Sequence, residues 1–125
     1  MKWLSIALIG MCTLLSAQSA QQIIEQKGCL GCHAVAMKKN APAFAGIAKR
    51  NLRFEGENAK AVIMQSIKNG SKGKYPKFSN AIMPAYPDMS VGELNTVAEY
   101  ILSQASKAKR GGGGAQGRGM QRGSF

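Results

Sequence analysis

Residues 27–34 read K-G-C-L-G-C-H-A, and within them Cys29, Leu30, Gly31, Cys32 and His33 form the pattern C-x-x-C-H. This spacing is the signature of c-type haem attachment. Two thiols three positions apart lie about one helical turn from each other, so each can add to a vinyl group of one macrocycle. The imidazole of the next residue then falls over the iron as its proximal ligand. Leu30 and Gly31 keep the turn compact and partly apolar. A thioredoxin-like dithiol needs a βαβ setting, which this chain lacks, and a structural zinc needs four ligands where Cys29, Cys32 and His33 supply three.

His33 is the only histidine in the 125 residues, so a second imidazole cannot complete the iron coordination. The sixth position is left to a methionine, a lysine, a water or nothing. Met37 is too near His33 in sequence to reach the opposite face of the ring, Met64 falls on a helix face that reads as core, and Met120 lies in a Gly/Arg-rich tail. Met83 and Met89 remain. Met83 is preferred because Pro84 stiffens the backbone beside it and removes a competing N–H; Met89 stands second. A His and Met pair fills both axial positions and raises the reduction potential, which suits one-electron transfer rather than catalysis.

Around these residues the pattern is helical, and no stretch alternates at period two for long enough to suggest a sheet. An all-α domain over 20–108 is expected. A short helix over 21–27 leads into the cysteine motif, with Ile23, Ile24 and Gly28 as candidates for its buried side. A second runs over 58–69, with Val62, Ile63 and Ile67 apolar and Asn69 and Gly70 as its stop. The last begins at a capping box, Ser90 with Glu93, and carries Leu94, Val97, Ala98, Ile101, Leu102 and Ala105 on one face. The segment 68–87, rich in Gly, Lys, Pro, Asn and Ser, reads as a long loop without regular structure, a feature that usually has a function.

Both ends read as lying outside that domain. Residues 1–19 start with Lys2, continue as an apolar run too short to span a bilayer comfortably, and finish in small residues, the order of a cleaved signal peptide. Cleavage is expected after Ser19, with Ala17 and Ala20 as alternative positions. Cys12 falls within this leader, and Met11 before it argues against a lipidation site. Export would place the mature chain in the periplasm, with no membrane span after cleavage. Residues 109–125, with Gly111 to Gly114 in a row, lack the apolar groups to fold and read as a disordered basic tail. Of the 17 basic residues behind the formal net charge of +11, Lys2 lies in the leader and five fall from Lys107 to the C-terminus. The stretch between them, 20–106, keeps eleven basic against six acidic residues, a balance that steers a protein toward acidic partners. An exported protein rarely meets nucleic acid, so none is expected as a partner.

The segments 27–34 (K-G-C-L-G-C-H-A), 40–44 (N-A-P-A-F), 67–71 (I-K-N-G-S), Met83 with Pro84, and 100–104 (Y-I-L-S-Q) resemble, in this order, the short single-haem bacterial class I cytochromes c. The resemblance covers roughly residues 23–104. It implies an all-α class I cytochrome c fold, with N- and C-terminal helices crossing around one covalent haem c. Gly28 and Tyr100 would then pack closely where those helices meet. It implies haem bound through Cys29 and Cys32, His33 and Met83 on the iron, and the Pro42 carbonyl accepting the His33 N–H. It implies a periplasmic one-electron carrier, a monomer and not an enzyme, serving acidic redox proteins of the quinol-oxidising, terminal oxidase or nitrite reductase classes. A fixed haem subunit of a larger redox complex is the alternative. An open-site haem enzyme or gas sensor would require Met83 to be off the iron. Docking would use a haem edge ringed by lysines such as Lys38, Lys39, Lys72, Lys74 and Lys77. Two departures stand out. The family often follows its ligand methionine with two prolines and an asparagine that bonds the sulfur, where this chain has Met83, Pro84, Ala85, Tyr86, Pro87. The tryptophan that often donates to a haem propionate is missing, and in that region only Tyr75 could donate.

Overall fold

The structure, a computed structural model, describes residues 17–108. The signal-peptide reading, but for its last three residues, and the Gly/Arg-rich tail lie outside the described residues. Four α-helices make the frame: α1 (Ala20–Gln26), α2 (Phe44–Glu55), α3 (Ala59–Asn69) and α4 (Val91–Ser103). α4 packs against each of the other three, and α2 also lies on α3. The core fills their meeting place. Ile23 and Ile24 come from α1, Phe44 and Ala48 from α2, Ile63 and Ile67 from α3, and Leu94, Val97, Ala98 and Ile101 from α4. The first and last helices thus pack together, as the resemblance implies.

A seven-residue helix such as α1 cannot hold itself in water. Its ends are closed by specific partners: Ser19 and Gln22 form a reciprocal capping box, and Gly28, at φ 71°, supplies the left-handed turn that stops it. Burial of Ile23 and Ile24 does the rest. α4 is capped in the same way, with Glu93 N–H donating to Ser90 Oγ at 3.1 Å and Ser90 N–H to Glu93 Oε2 at 2.9 Å. Ser90→Ala is therefore expected to cost about 1 kcal/mol and to lower Tm by about 4–8 °C, measured by thermal denaturation of the holoprotein.

Three expectations need correction. The sequence pattern did not predict α2, because its buried face (Phe44, Ala45, Ala48 and Asn51) is mostly small or polar while Leu52 and Phe54 are exposed on the other side. An apolar stripe is thus blurred by apolar residues facing water. The segment 68–87 is not without regular structure: Ser71–Lys72 (β1) pairs antiparallel with Ile82–Met83 (β2), Ser71 opposite Met83 and Lys72 opposite Ile82, and Pro76–Phe78 forms a 3-10 turn. Two-residue strands are too short for a period-two signal. Finally, Gly28 makes no tight helix crossing with Tyr100, since a Cβ there would have no heavy atom within 4 Å. Its glycine answers to φ, and Tyr100 instead meets Phe44 edge-on at 6.3 Å.

Candidate functional site

Cys29–Gly31 form a single 3-10 turn closed by Cys32 N–H to Cys29 O at 3.3 Å, and His33 N–H donates to the same oxygen at 3.0 Å. Both thiols are free, Cys29 half-buried and Cys32 exposed. Burial raises the Cys29 pKa, opposed by its backbone hydrogen bond and by Lys27. Past the turn the chain is laced to the start of α2: Ala41 N–H bonds Cys32 O, Phe44 N–H bonds Ala34 O and Ala45 N–H bonds Val35 O. This lacing puts Pro42 beside His33, whose Nδ1 donates to Pro42 O at 2.6 Å. The Phe44 ring stacks on the imidazole at 5.3 Å between centroids. His33 is buried, and burial pulls its pKa down against the opposing effect of the Pro42 bond. It is therefore a neutral ring with one nitrogen, Nε2, free to ligate.

The other part of the site is the segment between α3 and α4. α3 stops at Gly70, whose φ of 75° and ψ of 174° suit glycine alone. A Cβ at Gly70 would stand 2.7 Å from Met83 O and 3.0 Å from Ala85 N. The missing side chain is what lets the Met83 segment lie against the end of α3. Of the methionines considered as sixth ligand, Met37 is exposed and Met64 packs against the core. Met83 and Met89 line one cavity together with Cys29, Cys32 and His33. Met89, 5% exposed, is embedded in the core, while Met83 is half-buried.

That cavity, about 320 Å³ in volume, has an apolar body of residues such as Ile47, Ile63, Ile67, Val97 and Ile101. One part of its lining is polar. Asn51 Nδ2 donates to Ile47 O at 2.8 Å and to the Tyr75 hydroxyl at 3.2 Å, which leaves the phenolic hydrogen free to donate. Burial raises the Tyr75 pKa and so keeps that hydrogen in place. Lys74 Nζ donates to Ser66 Oγ at 2.7 Å, and the Arg50 guanidinium lies over the Tyr75 ring at 5.3 Å. Burial lowers the Lys74 pKa, with Glu55 opposing and Arg50 adding to the shift. An apolar slot with donors and Lys74 in its lining, and Arg50 behind Tyr75, fits a flat macrocycle bearing anionic propionates. Among the described residues no three His, Cys, Asp or Glu side chains gather as a metal cage, so the motif is not folded as a zinc site.

Phe44, Asn51, Ser66, Lys74 and Tyr86 were not singled out as site residues from the sequence. Phe44 stood within the quoted N-A-P-A-F segment, and Asn51 follows it by seven, two turns along one face. Nothing local marks Ser66 or Lys74, which meet only because the chain after α3 folds back. Lys74 also leaves the set of free docking lysines, and Lys39 is tied to Leu30 O at 2.9 Å.

Helices packed about such a slot, with C-x-x-C-H in its lining, define a small haem-binding electron-transfer domain. The Cytochrome c family model matches residues 17–105, and the chain belongs to the cytochrome c family. It is 34% identical over 107 residues to cytochrome c-551 of Pseudomonas aeruginosa, covering 79% of this chain and 93% of that one. Cytochrome c oxidase subunit 2 of Alkalihalophilus pseudofirmus is 34% identical over 96 residues, which are 70% of this chain but 25% of the subunit. The crystal structure of wild-type Nitrosomonas europaea cytochrome c552 superposes with a TM-score of 0.58 at 25% identity, covering 67% of this chain and 98% of that one. The chain is thus a small electron carrier with one covalent haem c, not an enzyme. No helix among the described residues is long and apolar enough to cross a membrane.

Proposed function

We propose that the chain is a periplasmic one-electron shuttle, its haem attached at Cys29 and Cys32 and held axially by His33 and Met83. The observation that carries this reading is that both thiols, His33 and Met83 line a single apolar cavity. The bound haem supplies a one-electron iron couple. Pro42 orients His33 and sharpens its basicity, while Tyr75 would offer its free hydrogen to a propionate, with Lys74 and Arg50 supplying positive charge nearby. The apolar lining keeps water from the ring, and two protein ligands leave no position for oxygen or peroxide.

Export through a cleaved leader fits the pattern of residues 1–19. Cleavage after Ala17 would keep Ser19 as the α1 cap, whereas cleavage after Ser19 would remove it; the mass of the mature chain from a periplasmic extract distinguishes them. The partners are acidic redox proteins of the quinol-oxidising, terminal oxidase or nitrite reductase classes, met by a monomer in a brief, electrostatically guided encounter. Lys38, Lys72 and Lys77 are exposed and suit that role. Ferricyanide, an anionic one-electron oxidant, provides the test. Its rate with the reduced protein should fall as salt is added, and reversing these three charges should slow it about tenfold at low salt. A native rate indifferent to salt would contradict electrostatic docking.

The similarity to a quarter of an oxidase subunit favours one second reading, a haem module fixed in a larger complex. Elution of the native protein with a large complex in gentle size-exclusion chromatography would select it over the shuttle, which elutes at its own mass.

A further inference from the structure

The segment that carries Met83 is pinned at both ends. At its start Met83 lies opposite Ser71 in the two-strand ladder. Three residues on, Tyr86 makes two long-range bonds. Its N–H donates to Ile67 O on α3 at 3.0 Å, and its hydroxyl donates to Lys27 O at 3.2 Å, across 59 positions of chain. Pro84 and Pro87 bracket the stretch and restrict its slack. Lys27 is the C-cap of α1, the last residue before Gly28 and the attachment turn. Its carbonyl is one of those a helix end leaves without a partner, so the Tyr86 hydroxyl satisfies a group that would otherwise need water. The ring, half-buried, packs on the core and lines the cavity. One side chain therefore ties the arm bearing Cys29, Cys32 and His33 to the segment bearing Met83.

A phenol has one hydrogen, and here it is given to Lys27 O. Tyr86 accordingly has none for the Met83 sulfur. We propose that Tyr86 is a positioning residue for Met83, a latch that closes the Met83 segment onto the end of α1 and holds the thioether in place through the backbone. This inference rests on Met83 being the sixth ligand.

Tyr86→Phe keeps the ring and removes only the hydroxyl. In the oxidised holoprotein the weak red absorption band of sulfur-ligated iron should vanish at lower pH than in the native protein. Detachment should be favoured about fivefold, the effect of one ordinary hydrogen bond, and carbon monoxide should bind the reduced variant faster by a similar factor. Ser90→Ala, which weakens the start of α4 but leaves both long-range Tyr86 bonds in place, serves as the control. It should lower Tm without moving either ligand readout. The latch is overturned if Tyr86→Phe matches the native protein in both ligand readouts, or if Ser90→Ala shifts them equally. A native protein without the red band, or a band that survives Met83→Ala, removes the ligand assignment and the latch with it. Loss of the band in Met83→Ala with no change in Tyr86→Phe removes the latch alone.

Discussion

Met83→Ala should abolish the red band of the oxidised holoprotein, open the reduced iron to carbon monoxide and lower the reduction potential. A thioether stabilises the reduced iron, so replacing it by water favours the oxidised state. The fall should be on the order of 0.1 V or more, set against the roughly 0.8 V that axial ligands span. Met89→Ala should behave differently, although both side chains line the cavity. Met89 belongs to the core, so its truncation is expected to cost about 2–5 kcal/mol of stability while the band and the potential persist. The opposite pattern, a band kept without Met83 and lost without Met89, would reassign the ligand. Spectra and potentiometry of the two variants decide between them.

Gly70→Ala is the second large effect. Gly70 combines a φ of 75° with a ψ of 174°, a conformation that costs a residue with a Cβ about 1–3 kcal/mol. The added methyl would also stand 2.7 Å from Met83 O and 3.2 Å from Pro84 C. Those are backbone atoms and cannot rotate aside, so the ligand segment itself must move. A loss of about 2–4 kcal/mol is expected, with a weakened red band and faster carbon monoxide binding. Gly28→Ala is the contrasting case. Gly28 has a similar φ of 71° but a ψ of 22°, in the ordinary left-handed region, and a Cβ added there would meet no protein atom within 4 Å, so the substitution should cost about 1–2 kcal/mol and leave the ligand band alone. Equal effects of the two variants on the band would show that contact with the Met83 segment does not decide the effect at Gly70.

These two glycines show where sequence reading stops. Each directly follows a helical stretch, where a left-handed residue is a local requirement. Only the folded chain distinguishes the one at the cavity edge, with no protein atom near its missing Cβ, from the one on which the Met83 segment rests. Lys74 makes the same point. As a member of a lysine-rich loop it reads as a solvated docking charge, yet the return of that loop over α3 sets it on Ser66 in the cavity lining.

Sequence alone determined the features whose causes are local. The C-x-x-C-H spacing is a property of one turn, the Ser90 and Glu93 box of four consecutive residues, and the face of α4 of a 3.6-residue period. A single histidine limits the iron ligands by simple count. Tertiary structure decided what depends on pairs far apart in the chain. α2 is a helix despite an alanine-rich inner face and apolar residues turned to solvent, because packing against α3 and α4 outweighs weak patterning. The two-residue ladder, the Asn51 and Tyr75 pair, the Ser66 and Lys74 pair and the Tyr86 bond to Lys27 join groups whose separation in sequence carries no period. Their partners are set by how the helices close around the cavity, and only that closure brings them within hydrogen-bonding distance.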